Sequence, residues 1–206
     1  MKNKNFLWRI RKKVKEVGLG NALIGCIKRV KYMWLIRKYH FAAWHLSPYE
    51  WKKYAQECVH YVNKHGCKTI VDIGCGLGEI LLHVNATKKI GLDLDEGAIM
   101  AARELCGKTI IFEKGSFSDL IQNSIDYCIT LNFMHGGLES EWKKVYHLMA
   151  ERNDIKHFIV DTVPDKAFSS ATKFLNWSEI LPDNYKRVEH LGPFLSGRYL
   201  EVWEKK

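Results

Sequence analysis

The sequence contains little proline, no long hydrophobic run and no visible internal repeat. Only four of its 206 residues are proline, and this composition excludes collagen-like, solenoid and low-complexity proteins. The uncharged segment 17–27 is too short to span a bilayer, which takes about 20 residues. Since 47% of the residues are hydrophobic, the chain is nevertheless able to bury a core.

The six cysteines form no C-x-x-C pair, and cysteine and histidine do not recur at the spacing of a zinc site. In a chain of this length, such cysteine usage indicates free thiols in a reducing cytoplasm and gives no support for a metal site. Leu23-Ile24-Gly25-Cys26 resembles a lipoprotein cleavage box, but the apolar stretch before it is short and interrupted by glycine. We therefore expect a cytoplasmic protein without a bound metal rather than an exported one.

Acidic residues are nearly missing from the N-terminal part of the chain. Residues 1–40 contain 12 lysines and arginines but a single acid, Glu16, which gives a net charge of +11. The rest, with 20 basic and 22 acidic residues, carries a net charge of −2, so the positive charge belongs to an N-terminal arm, residues 1–46. Apolar residues at helical spacing predict two basic amphipathic helices in this arm, at 5–17 and 21–39. The predicted apolar stripe of the second helix consists of Leu23, Ile27, Val30 and Trp34.

A basic helical arm indicates contact with an anionic surface. One interpretation is a pair of helices, within residues 1–40, that lies in the interface of an anionic membrane and is anchored by Trp8 and Trp34. The protein would then be peripheral on the inner face of the membrane. A second interpretation is a helical cap that packs on the rest of the protein, and nucleic-acid binding is a third, less favoured one. We expect the arm to be separable from the domain that follows it, residues 47–206.

The second part of the chain predicts an α/β fold. Ser47-Pro48-Tyr49-Glu50 has the pattern of a capping box and predicts a helix that ends at Gly66. Apolar strand patterns then alternate with helical patterns, which is typical of a parallel sheet covered on both faces. The predicted strands are 68–73, 88–93, 109–113, 125–131 and 156–161, with helices near 78–85, 96–106, 117–122 and 139–151. Two more strands, 185–191 and 197–204, are joined by only five residues and must run antiparallel to each other.

A glycine-rich segment follows the first predicted strand and opens a helix. It reads Asp72-Ile73-Gly74-Cys75-Gly76-Leu77-Gly78-Glu79, and its glycines let a ligand approach main-chain N–H groups at a helix N terminus. Asp93 ends the second predicted strand, 19 residues beyond Gly74, where an acid can accept both hydroxyls of a ribose. Together these features predict a site for an adenosine-containing cofactor. Glu79 occupies the last position of the dinucleotide pattern G-x-G-x-x-G, so NAD is disfavoured.

On these motifs, residues 48–206 resemble class I S-adenosylmethionine-dependent methyltransferases, in which an acid and one apolar residue precede G-x-G-x-G. The terminal hairpin resembles this family too, and the layout is similar to that of bacterial polysaccharide-cluster methyltransferases. The resemblance implies a Rossmann-like sheet of seven strands, five parallel and closed by the hairpin with its antiparallel last strand, and S-adenosyl-L-methionine as the cofactor. Asp72 would lie under the methionine end of the cofactor and Asp93 would hold its ribose. The cofactor-binding residues implied are Asp72, Gly74, Cys75, Gly76, Gly78, Asp93, Leu94, Ser116, Phe117, Leu131 and Asn132.

Two motifs depart from the family pattern. The adenine side reads Gly115-Ser116-Phe117 instead of G-D-x, where the serine would bond the adenine amino group and the phenylalanine would stack on the ring. Leu131 and Asn132 fall where the methyl group would face the acceptor. Phe133 and Met134 replace the prolines of an N-P-P-Y motif, which disfavours nucleobases and protein amides as acceptors.

Methyl transfer to a hydroxyl is helped by a general base, and the sequence offers three candidates. His135 is the first, His45 the second and Asp161 the third, although each also has a purely structural interpretation. The predicted function is methyl transfer to an oxygen of a saccharide or another membrane-associated acceptor, because the basic arm favours an acceptor at a membrane. The alternatives are an RNA methyltransferase, whose arm contacts phosphates, and a non-catalytic cofactor-binding scaffold.

Overall fold

The computed structural model describes residues 2–122, 124–167 and 169–206. The strands in this part of the chain are β1 (Cys67–Ile73), β2 (Ala86–Asp93), β3 (Ile111–Lys114), β4 (Ile125–Thr130), β5 (Ile155–Thr162), β6 (Tyr185–Leu191) and β7 (Tyr199–Lys205). They form one sheet in the order β3-β2-β1-β4-β5-β7-β6. The first five strands run parallel, while β7 runs antiparallel to both β5 and β6. The predicted α/β fold with a parallel sheet and a C-terminal hairpin is therefore confirmed.

Helices cover both faces of the sheet. They are α1 (Lys2–Tyr39), α2 (Lys53–His65), α3 (Glu79–His83), α4 (Glu96–Cys106), α5 (Glu139–Arg152) and α6 (Trp177–Ile180). In β1, Val71 and Ile73 belong to the core cluster that contains Tyr146 of α5 and Trp177 of α6. Ile70, also in β1, belongs to the cluster on the opposite face, which contains residues of α2 and α4. Since every second side chain of a strand points to the same face, burial on both sides explains why the strand is apolar almost throughout.

One predicted helix, at 117–122, is much shorter in the structure. Only Phe117–Asp119 form a helical turn, of the 3₁₀ type. The carboxylate of Asp119 accepts hydrogen bonds from the main-chain N–H and the hydroxyl of Ser116, so the turn closes on itself. A turn held by its own side chains does not need to continue as an α-helix.

The predicted capping box at Ser47 is wrong. Tyr49–Trp51 form a 3₁₀ turn without a side-chain cap, and α2 begins only at Lys53. The physical reason is a tertiary contact, because the buried carboxylate of Glu50 lies 2.5 Å from the ammonium of Lys28 on α1. The acid that a capping box would turn back on its own helix is used to hold the arm instead.

Helix α1 contains both predicted arm helices. It is interrupted at Gly18, whose φ of 81° and ψ of 159° are not helical. Beyond this break, Tyr32 and Leu35 are buried in a third core cluster together with Leu77 of the glycine-rich segment. None of the described helices is both long and apolar enough to cross a membrane. The predicted anchor Trp8 lies outside the residues whose side chains the structure describes.

Candidate active site

A cavity of about 340 Å³ lies at the carboxyl ends of the central parallel strands. This is the edge at which open α/β sheets bind their ligands. Ten of the eleven implied cofactor-binding residues line it, namely Asp72, Gly74, Cys75, Gly76, Asp93, Leu94, Ser116, Phe117, Leu131 and Asn132. One wall is formed by residues 43–52, which we call the wall segment; it contributes Trp44, His45 and Lys52.

The glycines of the loop after β1 are required by its backbone and by its neighbours. Gly74 and Gly76 have φ of 75° and 54°, in the left-handed region that side chains disfavour. A Cβ at Gly74 would lie 2.7 Å from the ring of Phe133, and one at Gly76 would lie 2.6 Å from Nδ1 of His45. The loop therefore runs directly beneath two side chains that also line the cavity.

Gly78, the eleventh residue, serves the fold and does not line the cavity. It is the N-cap of α3, with φ of 71° in the left-handed region. A Cβ there would lie 2.3 Å from the ring of Phe112 in the core. Its side-chain-free backbone lets α3 begin close to the sheet.

Asp93 is fixed by two main-chain N–H groups. Its Oδ2 accepts from the N–H of Gly76 at 2.8 Å, and its Oδ1 accepts from the N–H of Asp95 at 2.9 Å. Asp95 is the N-cap of α4, because its Oδ1 accepts from the N–H of Ala98 at 3.1 Å. Its Oδ2 also accepts from the N–H of Ala42, at 2.8 Å, which ties the end of the arm to this edge.

The cavity places an acid and a base close to each other. Asp72 is buried, and its pKa is raised to about 8, mainly by burial and then by the negative charge of Asp93, against the opposing charge of Lys52. Burial lowers the pKa of the Lys52 ammonium, while the charges of Glu79 and Asp72 act in the opposite direction. A carboxyl group and an amine at one end of a cavity suit a ligand group that itself carries both an ammonium and a carboxylate.

Glu79 joins the arm and the wall segment to the glycine-rich loop. Its Oε1 accepts from the hydroxyl of Tyr32 on α1 at 2.5 Å and from the N–H of Tyr49 at 2.9 Å. Its Oε2 lies 3.8 Å from the ammonium of Lys52. The residue that argues against NAD in the sequence is thus a buried acid that holds three segments together.

A second buried network shapes the floor of the cavity around Asn132. This residue has φ of 70°, and its N–H donates to Oδ1 of Asp161 at 2.9 Å. The guanidinium of Arg198 donates to Oδ1 of Asn132 at 2.6 Å and to Oδ2 of Asp161. It also lies 4.3 Å from the ring centre of Tyr54, a residue of the cavity lining. These contacts explain how Asn132 keeps a left-handed conformation.

Two of the three predicted bases lie behind the cavity wall. Neither His135 nor Asp161 lines the cavity. Oδ2 of Asp161 lies 3.2 Å from Nε2 of His135, and the carboxylate is fully buried beside Arg198. The pKa of His135 is lowered to about 4, mainly by burial and then by the charge of Arg198. In the structure both residues support the position of Asn132.

The remaining candidate base, His45, faces the cavity from the wall segment. Its Nε2 is buried and has no hydrogen-bond partner among the described residues. Its pKa is lowered by burial, against the charges of Asp93 and Asp95. A neutral imidazole whose nitrogen has no hydrogen-bond partner is able to accept a proton.

The adenine side of the cavity is aromatic. The ring of Phe117 packs against that of Phe133, with 5.8 Å between the ring centres. The ring centre of Trp142 also lies 5.8 Å from that of Phe117. The hydroxyl of Ser116 lies within hydrogen-bond distance of Ser118. This side offers aromatic rings to a ligand, together with a hydroxyl that also donates to Asp119.

Sequence reasoning missed several residues of the site, namely Trp44, Lys52, Tyr54, Phe133 and Arg198. Phe133 directly follows Asn132, a predicted cofactor-binding residue, and could have been found by its position. Lys52 and Arg198 have no local signal, since each reaches the site only through the tertiary fold.

Metal or thiol chemistry finds no support in the described residues. They contain no group of three histidine, cysteine, aspartate or glutamate side chains that could hold a metal ion. Burial raises the pKa of the Cys75 thiol well above its usual range, which keeps it protonated.

Neither a family model nor a curated protein sequence matches the chain. Its fold, however, is similar to several solved structures. Magnesium protoporphyrin IX methyltransferase from Synechocystis PCC 6803, with bound S-adenosylmethionine, is 15% identical with a TM-score of 0.62, over 75% of this chain and 79% of that one. The N-methyltransferase NodS from Bradyrhizobium japonicum WM9, in complex with S-adenosylhomocysteine, is 13% identical with a TM-score of 0.64, over 77% and 88%.

The small RNA methyltransferase HEN1 is 18% identical with a TM-score of 0.58, over 75% of this chain and 25% of that one. At such low identity the likeness defines the architecture. The strand order and the antiparallel terminal hairpin agree with it. The chain therefore has the fold of the class I S-adenosylmethionine-dependent methyltransferases.

Proposed function

We propose that this protein transfers a methyl group from S-adenosyl-L-methionine to an oxygen of a saccharide or another membrane-associated acceptor. The observation that carries the first part is the cavity itself, which is lined by Asp72, the glycine-rich loop and Asp93 at the strand ends. A volume of about 340 Å³ is in the range of small-molecule sites. The basic arm supports the second part, because it favours an acceptor held at an anionic surface.

The lining residues fit each part of this cofactor. Asp72 and Lys52 would receive the ammonium and the carboxylate of its methionine end, since both side chains line the same cavity. Asp93 would accept hydrogen bonds from the ribose hydroxyls, and Phe117 would stack on the adenine. When bound, the cofactor supplies an electrophilic methyl group on a sulfonium.

The protein's own contribution to transfer is positioning, exclusion of water and removal of a proton. The cavity fixes the two partners, and the wall segment with Trp44 and His45 separates them from solvent. We assign the base to His45 because it lines the cavity and its buried Nε2, 3.8 Å from Oδ2 of Asp95, has no hydrogen-bond partner among the described residues. This nitrogen takes the proton that an acceptor hydroxyl loses as its oxygen is methylated.

Calorimetric titration with S-adenosylmethionine, S-adenosylhomocysteine and NAD tests the cofactor assignment. We expect micromolar binding of the two sulfur compounds, no binding of NAD, and loss of binding in Asp93→Ala. Glu96→Ala is the matched control, since this nearby carboxylate is exposed and, among the residues that the structure describes, forms its ion pair with Lys114 on the surface. Binding of NAD alone, or of none of the three, would contradict the proposal.

An RNA methyltransferase is the second candidate, because the arm carries a net charge of +11 and a small RNA methyltransferase has a similar fold. If the arm binds RNA, the logarithm of the binding constant should fall steeply and linearly with the logarithm of the salt concentration. A methyl-transfer assay that compares lipid-linked glycans with RNA distinguishes the two acceptors. Cofactor binding without turnover on either class would favour the scaffold alternative.

A further inference from the structure

Helix α1 exposes one apolar face although it packs on the domain through another. Leu19, Leu23, Ile27, Val30 and Trp34, which we call the arm ridge, follow one another at intervals of three or four residues. Each has more than half of its surface exposed to solvent. Residues at these intervals share one side of a helix. The apolar stripe that the sequence predicts is thus the face that the domain leaves uncovered.

The opposite face of the helix makes the contacts with the domain. Tyr32 and Leu35 are buried there, and Tyr32 donates to Glu79. Gly25 belongs to this face as well, since a Cβ there would lie 2.1 Å from the indole nitrogen of Trp51. A surface helix of a globular protein usually has a single apolar stripe, turned to the core. The arm ridge therefore has no role in holding the helix on its own domain.

Cationic side chains flank the arm ridge. Arg29 lies on one side of it and Lys31 on the other, and Arg37 and Lys38 follow towards its end; all four are exposed, and Lys38 pairs with Glu104 of α4 at 2.6 Å. The chain contains no Asp or Glu between residues 17 and 49. At 1.5 Å per residue the ridge is about 22 Å long. An apolar strip of this length with a cationic border fits the headgroup boundary of an anionic bilayer.

We propose that the arm ridge docks on an anionic phospholipid bilayer, with its apolar side chains among the upper acyl carbons and its flanking cations at the headgroups. A second copy of the chain is a poorer occupant, because two ridges in contact would bring Arg29 and Lys31 against like charges. A nucleic acid would use the cations but leave five large apolar side chains in water.

Docking of the ridge would bring the cavity close to the bilayer. Trp44, which is 77% exposed and lines the cavity, is only ten positions beyond Trp34. Five of the intervening steps are helical and the rest are at most extended, so the two tryptophans lie within about 25 Å of each other. In this last step the inference rests on the proposed function, since it names the surface from which a membrane-anchored acceptor would reach the site.

The test compares two substitutions of the same kind. Ile27→Glu places a charge on the arm ridge, and Ile121→Glu places one at an equally exposed position of the domain; the two isoleucines are 72% and 73% exposed. Co-sedimentation with phosphatidylcholine vesicles, with and without phosphatidylglycerol, measures binding at low and high salt. We expect binding only to the anionic vesicles, lowered about tenfold or more by Ile27→Glu and unchanged by Ile121→Glu. Part of the binding should persist at high salt, since the apolar contact is not screened.

Titration with S-adenosylhomocysteine runs in parallel and shows whether each variant keeps its folded site. Equal vesicle binding by Ile27→Glu and the unchanged protein would overturn the docking surface, and so would a failure of the unchanged protein to bind anionic vesicles. A dimer that Ile27→Glu converts to a monomer, without vesicle binding, would assign the ridge to a second copy. In each of these cases, binding of S-adenosylhomocysteine by the unchanged protein would leave the proposed function standing. If the unchanged protein does not bind S-adenosylhomocysteine, the proposed function alone is contradicted.

Discussion

The protonation of Asp72 makes the stability of the protein depend on pH. Its pKa in the folded protein is about 8, because it is buried beside Asp93, whereas an exposed aspartate has a pKa near 3.8. Between these values the folded state holds a proton that the unfolded chain releases. The contribution of Asp72 to the free energy of unfolding therefore falls as pH rises, by up to about 1.4 kcal/mol per pH unit.

Asp72→Asn removes this dependence because an amide does not titrate. We expect the variant to gain stability relative to the unchanged protein as pH rises from about 5 to about 7. The difference between their free energies of unfolding should change by up to about 1.4 kcal/mol per pH unit. Urea unfolding of both proteins across this range measures it. A constant difference between the two would show that Asp72 is ionised throughout, as an ordinary exposed carboxylate would be.

The histidines give a second prediction at the level of single residues. His45→Gln should lower turnover by about 10²- to 10⁴-fold with little change in cofactor affinity, because it removes the proton acceptor that faces the cavity. His135→Gln is the matched variant, and we expect it to reduce stability more than turnover, since His135 is buried against Asp161. Turnover is measured with the acceptor that the methyl-transfer assay identifies. If His135→Gln loses turnover and His45→Gln does not, the base is His135, as the sequence predicts.

The cofactor-binding residues could be predicted from sequence because they lie at or just beyond the carboxyl ends of strands. Asp72 is the last residue but one of β1 and Asp93 is the last of β2, and the ends of parallel strands meet at one edge of the sheet. Lys52 could not be predicted in this way, since it reaches the cavity only where the wall segment folds back over the strand ends. Arg198 is a similar case, because its role depends on the pairing of β7 with β5, which brings it to Asp161.

At the scale of elements, the alternation of strands and helices was predictable, and the segment before α2 was not. Local pattern places a capping box at Ser47, but the structure uses Glu50 to bind Lys28 and the N–H of Tyr49 to bind Glu79. Contacts with residues 20 to 30 positions away decide the conformation there. Tertiary hydrogen bonds override a local capping pattern when they satisfy the same polar groups.

Glu79 is the residue on which this arrangement of elements depends. Its removal leaves the hydroxyl of Tyr32 and the N–H of Tyr49 without their acceptor in a buried place. We expect Glu79→Ala to lower the free energy of unfolding by about 1–3 kcal/mol and to weaken cofactor binding as well, because the wall segment is released. Equilibrium unfolding in urea and titration with S-adenosylhomocysteine measure the two effects.

The matched control for Glu79→Ala is Glu57→Ala. In the described part of the chain Glu57 pairs with Lys53 on the surface of α2, so its removal should change stability by less than about 1 kcal/mol and leave cofactor affinity unchanged. Equal effects of the two substitutions would mean that Glu79 is no more than a surface charge.

At the scale of the whole molecule, the charge division of the sequence does not coincide with a division of the structure. Residues 1–40 carry a net charge of +11, more than the +9 of the whole chain, which suggests an arm that can be removed. In the structure the same arm supplies Tyr32 and Leu35 to a core cluster with Leu77 and contacts the cavity wall through Lys28. The charge of the arm indicates what its exposed surface binds. The apolar residues on the other face of helix α1 indicate that it packs on the domain.

Deletion of residues 1–40 therefore has a different expected outcome from a substitution on the arm ridge. The deletion exposes the partners of Tyr32 and Leu35, each worth about 1.5–3 kcal/mol when buried, and frees Glu79 from the arm. We expect it to lower the melting temperature and to weaken S-adenosylhomocysteine binding, whereas Ile27→Glu should leave both unchanged and remove only vesicle binding. Differential scanning calorimetry, ligand titration and vesicle co-sedimentation on the two variants measure this contrast. A deleted protein that keeps its stability and cofactor affinity would show that the arm is separable and that its contacts with the domain contribute little, while a joint loss of all three properties assigns it both a structural and a membrane-facing side.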